Sequence, residues 1–504
     1  MNHTKKILVD KNAKAAFNNH STYCVGTGRM GLALQKEYYD QLALVQEDIG
    51  FSYIRGHGIF CDDMAICHVH VDERGKRTLE YNFTYLNRVI DAYLELKIKP
   101  FLELGFMPSS LASGEQTVFY WKGNVTPPKD HEEWAALVRA LISHLVHRYG
   151  RSEVAGWPVE VWNEPNLGVF WENEDLEAYL KLYLVTAKAV KDVLPDMRVG
   201  GPAICGTANC SDWMHAFLDF CLRTGAPLDF VTRHAYMAET PARNGRYVYH
   251  TMRTVQSLME EMQETRNIID SYDAFRGMEM HITEFNTSYS PQCPIHDTNY
   301  NAAITAGLLA RLGDVAASYS YWTFGDVFEE SGVPFTPFHG GFGLVANGLI
   351  TKPTFWTFAF FAKLAGHPVH RCENAVIVRL KEGGYRGVAW NICDQEHETL
   401  TLTVSLPADH ETYVLTTHKT DEEVCNPRKA WHDMGQPANP SLEQIKFLKE
   451  LAKPYLATQA LSLTGGTISF DLELKENAVT FFDVKPIQQE CDRGFDYAQN
   501  GRKE

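Results

Sequence analysis

Glu164 ends the run Val-Trp-Asn-Glu and Glu284 the run Ile-Thr-Glu, and the two carboxyls stand 284 − 164 = 120 residues apart. Two acidic side chains drawn together from distant points suit the hydrolysis of a glycosidic bond. One must donate a proton to the leaving oxygen, and the other must stabilise or capture the oxocarbenium-like carbon. At about 5–5.5 Å the second acid attacks and configuration is retained; about 6.5–9.5 Å admits a water and inverts. Sequence spacing does not give that distance. It also leaves open a plainer reading, in which Arg55 and Arg233 hold both acids as ion pairs at the mouth of a scaffold.

The scaffold can be read from the alternation around these residues. Eight β-type runs occur at 23–26, 51–57, 99–106, 159–165, 198–203, 229–236, 279–285 and 318–324. Between them lie apolar stripes at helical spacing, such as Leu86, Val89, Ile90 and Tyr93, or Leu137, Leu141, Leu145 and Tyr149 before the stop at Gly150. Asp130, with Glu133 three residues on, resembles a capping box at the start of the second stripe. Eight such units predict an α/β fold, a (β/α)8 TIM barrel. A doubly wound open sheet is the alternative, but no GxGxxG follows the first strand. Barrel chemistry sits at the C-terminal strand ends. Here those ends carry Arg55 and His57, Glu103, Asn163 and Glu164, His234 and Tyr236, Glu284, and Trp322. Charged and aromatic groups converge where strand interiors should be apolar.

After Gly366 the period changes to two. Runs at 375–380, 386–392, 399–406, 412–417, 467–474 and 478–484 alternate apolar and polar residues, which predicts a C-terminal antiparallel β-sandwich domain. Residues 441–452, between Pro440 and Pro454, form a helical insertion in it. The expected organisation is an N-terminal segment 1–22 whose residues 7–9 add a strand to the sandwich, a catalytic barrel 23–366, the sandwich 367–487, and a polar tail 488–504.

Composition narrows the partners. A net charge of −16 without a dense Lys/Arg block opposes nucleic acid and leaves neutral sugars open. Eleven scattered cysteines with no CxxC pair read as reduced thiols rather than a disulfide framework. The first sixteen residues lack an apolar signal core, and no stretch nears about 18 apolar residues, so neither export nor membrane insertion is expected. A cytoplasmic location is the expectation. The stretch Cys61-Asp62-Asp63…Cys67-His68-Val69-His70 fits no strong zinc spacing, and neither a metal nor a cofactor is expected.

The motifs at these strand ends resemble glycoside hydrolase family 39, in the retaining clan with its acid/base at strand four and its nucleophile at strand seven. The resemblance rests on 24–29 (CVGTGR), 53–58 (YIRGHG), 116–128 (QTVFYWKGNVTPP), 161–167 (VWNEPNL), 200–206 (GGPAICG), 233–236 (RHAY), 281–291 (HITEFNTSYSP) and 321–330 (YWTFGDVFEE). These span nearly the whole barrel. The resemblance implies a β-xylosidase removing xylose from short xylo-oligosaccharides, with an α-L-iduronidase-like exo-hydrolase as the runner-up and a silent sugar-binding barrel as the rival class. It makes Glu164 the acid/base, with its pKa raised toward neutrality, and Glu284 the nucleophile, paired with Arg55. Asn163 is placed on the sugar 2-hydroxyl, His57, His234 and Tyr236 along the polar wall, and Trp322 under the C–H face of the sugar. Glu329 is assigned to sugar hydroxyls at the end of the pocket. Aromatic loops at 107–130 and 326–352 are expected to close the cleft into a pocket. Such relatives imply a homo-oligomer. Phe285 departs from the pattern, which has Tyr there in much of the family, and removes one possible hydroxyl contact.

Overall fold

In this computed structural model the described residues are 2–393 and 398–487. The polar tail 488–504 lies outside them. Eight parallel strands close into a barrel in sequence order. They are β1 (Cys24–Thr27), β2 (Tyr53–Gly56), β3 (Lys99–Leu104), β4 (Val159–Val161), β5 (Val199–Ile204), β6 (Phe230–Tyr236), β7 (Met280–Asn286) and β8 (Ser318–Tyr321). Each is followed by one outer helix: α1 (Lys36–Asp48), α2 (Thr84–Glu95), α3 (His131–Tyr149), α4 (Leu176–Val193), α5 (Cys210–Thr224), α6 (Val255–Ser271), α7 (Asn299–Leu309) and α8 (Pro353–Ala362). The TIM barrel expected from the sequence is present. At the start of α3 the Asp130 side chain accepts from the Glu132 backbone N–H, a simple N-cap, while Glu133 pairs with Arg77.

Period-two geometry sends alternate residues of each strand inward. At the bottom of the barrel Tyr23, Tyr53, Phe101, Phe230 and His281 pack ring against ring, with Phe101 and Phe230 at 5.7 Å. This aromatic plug seals the N-terminal end, so the polar layer above it opens at one face only. Two residues on, the same alternation turns Arg55, Glu103 and Thr232 toward that layer. In β7 the alternation breaks: Arg233 pairs with Ile282 and His234 with Glu284, which skips Thr283. The bulge lets Thr283 and the next residue, Glu284, both face inward.

Two further sheets carry the C-terminal region. One has six strands, with His367–Arg371 and Tyr455–Ser462 at its edges, and the other has three. In the smaller sheet Asn2–Leu8 pairs in parallel with Thr399–Pro407, so the sandwich is antiparallel except at this join. Thr399–Pro407 and Thr467–Leu474 bury every second residue against Ile377, Phe482 and Val484 of the larger sheet. The opposite face of that sheet meets the barrel, where Phe481 stacks on Phe360 at 5.8 Å. Helix Leu442–Leu451 forms with a capping box between Ser441 and Gln444. A second helix there, Pro427–Asp433, and two hairpins after β2 and β6 carry patterns too short to stand out in the sequence. Among the described residues no helix is long and apolar enough to cross a membrane.

Candidate active site

Arg55 organises the polar layer. Fully buried on β2, it donates from Nε to Glu160 (2.6 Å), from Nη1 to Glu284 (2.6 Å) and from Nη2 to Asn163 Oδ1 (3.0 Å), and Nη2 also lies 2.9 Å from Glu103. Taking the Asn163 carbonyl in this way leaves its amide nitrogen for a ligand. Glu160 also accepts from Thr283 at 2.7 Å. A carboxylate inside a barrel is costly unless its lone pairs are met, and here one guanidinium and one hydroxyl meet them.

The chain around Glu164 is strained. Trp162 and Glu164 take φ of +70° and +44°, a region that costs non-glycine residues on the order of 1–3 kcal/mol each. Packing holds the turn: Trp162 Nε1 donates to Phe170 O (2.8 Å), its ring abuts Phe106 and Trp171, and the Glu164 N–H donates to Ala203 O (2.9 Å). The result aims Asn163 and Glu164 together into one cavity.

Glu164 and Glu284 face each other in unlike surroundings. An oxygen of each, with a ring nitrogen of His234, lies within 4.8 Å of the others. Glu284 accepts from Arg55 and, at 2.7 Å, from the Tyr236 hydroxyl. Among the described residues the Glu164 carboxyl is hydrogen-bonded by the His234 ring alone, Nδ1 to Oε1 at 2.7 Å. Burial, and then the negative charge of Glu284, drives the Glu164 pKa well above the ordinary carboxyl value. Burial pushes Glu284 up too, but Arg55, His57 and the Tyr236 hydroxyl all oppose it, so Glu284 is the member that ionises first. Burial holds His234 far below its usual value, hence neutral. These three groups could in principle surround a cation, but their oxygens are already engaged as an acid–base pair, and we assign no metal.

A cavity of about 550 Å³ opens over this pair. Its wall includes His57, Asn163, Glu164, Tyr236, Glu284 and Trp322, with Phe119 and Phe170 on one side. Trp322 is 2% exposed, and His57 packs 4.7 Å from it. Arg55 and His234 sit behind this wall, fully buried, and reach the cavity through Glu284 and Asn163 and through Glu164. Arg233 takes no part: it pairs with Glu261 and Thr265 on the outer side.

One assignment moves by a single residue. Glu329 turns away, accepting from Arg29 Nη2 (2.8 Å) and Gln35 Nε2 (3.2 Å), and Glu330 lines the cavity instead. Burial and the charges of Glu284 and Glu164 push the Glu330 carboxyl well up. The loop has no regular period, so nothing in two adjacent glutamates says which faces inward. Phe338 and His339, in the aromatic loop at 326–352, point away from the cavity. Phe338 packs on Trp431, and His339 bonds the Thr336 carbonyl. Phe285 points outward between Tyr319, Tyr321 and Phe358, so a hydroxyl there would not reach the cavity. Glu160 and Glu103 emerge as structural members of the site. Their signal in sequence is a charged residue inside an apolar strand.

The loops over the cavity are tied together and tied down. The Tyr120 N–H donates to Glu330 O at 2.9 Å, joining the loop after β3 to the loop after β8. Beneath the second loop, Lys352 is fully buried and lies 2.7 Å from each of Asp297, Asp326 and the Gly341 carbonyl.

Residues 5–467 match the sequence model of the family described as Glycosyl hydrolases family 39. A "Beta-xylosidase" of Geobacillus stearothermophilus is 45% identical over 491 residues, covering 96% of each chain. One of Caldicellulosiruptor saccharolyticus is 35% identical, covering 92% of this chain and 94% of its own. Among solved structures, a monomeric beta-xylosidase from Caulobacter crescentus superposes with a TM-score of 0.87 at 31% identity, covering 96% of this chain and 100% of that one.

Proposed function

The chain belongs to glycosyl hydrolases family 39, and we propose that it is a retaining exo-β-1,4-xylosidase acting on short xylo-oligosaccharides. The observation that carries this reading is the contrast between two acids whose oxygens lie within 4.8 Å. Glu164, desolvated and without a cation, holds a proton for the leaving oxygen. Glu284, on Arg55 and Tyr236, is ionised and attacks the anomeric carbon from the opposite face. Glu164, once deprotonated, then activates water against the glycosyl-enzyme. The short separation supports retention, because an inverting pair must leave room for a water.

Trp322 gives the sugar an apolar floor, and the Asn163 amide is free for the 2-hydroxyl. Glu330 accepts from hydroxyls at the closed end, where the Tyr120–Glu330 bond seals the cavity and confines cleavage to terminal units. The choice of xylose rests on the two β-xylosidase relatives. A uronate would bring a further carboxylate into a cavity where the charge of Glu284 already raises the Glu164 and Glu330 carboxyls, which disfavours an iduronidase-like activity. A silent binding barrel would have no use for two acids so differently poised. Apart from Cys393, the described cysteines form no disulfide among the described residues, in keeping with a cytoplasmic, reducing setting. A homo-oligomer enters this reading from the family resemblance alone, and the similar Caulobacter crescentus beta-xylosidase is described as monomeric.

Proton NMR of early turnover on an aryl β-xyloside tests it, with β-xylose as the first product and xylotetraose shortening one unit at a time. An initial α signal, or internal cuts in xylan, would overturn the reading.

A further inference from the structure

Behind the cavity wall, Glu103 makes a contact that the reaction as written does not use. It lies on β3, 1% exposed, with Oε2 2.6 Å from His57 Nδ1 and 2.9 Å from Arg55 Nη2. Its Oε1 is buried and, among the described residues, has no hydrogen-bond partner. One guanidinium thus faces three buried carboxyls. Glu284 has Arg55 and Tyr236, and Glu160 has Arg55 and Thr283. Glu103 is the least supported of the three, and a bare buried carboxylate oxygen is costly. A proton on Glu103 removes that penalty and supplies the hydrogen for the short contact to His57.

We propose that Glu103 is a positioning residue that stays protonated at working pH and donates to His57 Nδ1, which fixes His57 as the neutral Nε2–H tautomer. Nε2 lies 3.7 Å from Glu284 Oε1 at the cavity wall, so this tautomer presents a donor to the nucleophile and to a sugar hydroxyl. The other tautomer would present a lone pair to an ionised carboxylate. The proton on Glu103 therefore decides whether His57 attracts or repels what binds beside it.

The surroundings agree. Burial raises the Glu103 carboxyl to about 8 against the pull of Arg55, and burial lowers His57 to about 3. The other ionisable groups within its influence are Glu160, paired across from it on β4, Glu164 and Glu284 over the cavity, and the buried Cys61 thiol. Burial, not the field of these acids, favours the neutral form, and it does so against Arg55.

The test has two arms. Nitrogen-15 NMR of the whole protein near pH 6, with His57 assigned by its loss in His57→Gln, reads the tautomer directly and does not depend on the glycosidase reading. Nδ1 in the unprotonated range and Nε2 in the protonated range are expected; the reverse, or a doubly protonated ring, overturns the proposal. The kinetic arm rests on the xylosidase reading. Glu103→Gln, a neutral isostere that can still donate, keeps kcat/KM within about threefold and leaves the acid limb of its pH profile in place. Glu103→Ala loses about ten- to a hundredfold, the worth of one such bond to a charged site. A large loss in Glu103→Gln, with the acid limb moved to lower pH, would mean that an ionised Glu103 had been raising Glu284, and the proposal would fail.

Discussion

Arg55 Nη1 meets Glu284 Oε1 at 2.6 Å, whereas Glu164, among the described residues, touches no arginine or lysine. That asymmetry sets different costs for losing each acid. Glu284→Ala should lose on the order of 10⁴-fold or more on every substrate, because nothing attacks the anomeric carbon. Glu164→Ala should still cleave aryl xylosides with very acidic phenols, then stall, giving a burst and a depressed KM. Azide should rescue Glu164→Ala to β-xylosyl azide and Glu284→Ala to the α-azide. Equal loss in both variants, with no burst and no azide effect, would remove these roles.

Glu329 and Glu330 make an internal control. Glu330→Ala should reduce kcat/KM for xylobiose by about tenfold, as expected when a hydrogen bond to a buried neutral acid is lost. Glu329→Ala breaks a partly buried ion pair with Arg29 that lies away from the cavity, and should keep kcat/KM within about threefold. Steady-state kinetics of the two variants side by side checks the assignment, and the reverse ranking would return Glu329 to the site.

Stability should follow pH in a shape set by Glu103 and His57. Glu103, raised in the fold to about 8, holds a proton that the unfolded chain releases above its ordinary 4.5, so its contribution falls as pH rises through that window. His57, lowered to about 3 from 6.5, works in the opposite sense and adds stability as pH rises to 6.5. Between 4.5 and 6.5 the two trends cancel. Above 6.5 the Glu103 loss is no longer offset by His57 and adds to the loss of the same sign from Glu164 and Glu330. Denaturant titrations from pH 5 to 8 should therefore show a decline above 6.5 that is shallower in Glu103→Gln.

Lys352→Met should destabilise the protein by about 3–5 kcal/mol, because it strands Asp297 and Asp326 as buried charges. Activity should fall with it, since the same contacts hold the loop that carries Glu330. Restoring neutrality with Asp326→Asn in the Lys352→Met background should recover part of the stability in chemical denaturation. No recovery would mean that the lysine acts otherwise than by charge compensation.

Much of the framework is legible in the chain itself. The eight strand-and-helix units follow from hydrophobic periods of two and 3.6, which report burial of one face or stripe whatever the partner. The strands of the smaller sheet follow from clean alternation, because one face is core and the other is not, whereas the inner strands of the larger sheet are buried on both faces, against the smaller sheet and against the barrel. Glu103, Glu164 and Glu284 stand out as charges in or at the end of apolar runs, where only a polar layer could accept them. The elements missed are the hairpins after β2 and β6, the helix at Pro427–Asp433 and the edge strands His367–Arg371 and Tyr455–Ser462; most are short, and Tyr455–Ser462 is exposed at nearly every residue, so none shows a buried face with enough periods to register.

What the chain determined by itself was the fold and the set of acids; what the tertiary structure decided was where each acid points and which holds a proton. Strict alternation would have turned Glu284 outward, and only the bulge paired against β6 turns it in. Glu330 rather than Glu329 enters the cavity because Arg29, on a different loop, captures Glu329. Glu160, Glu284 and Glu103 are alike as residues, and the partners around Arg55 make them differ. Direction and protonation depend on groups distant in sequence, so no local pattern can carry them.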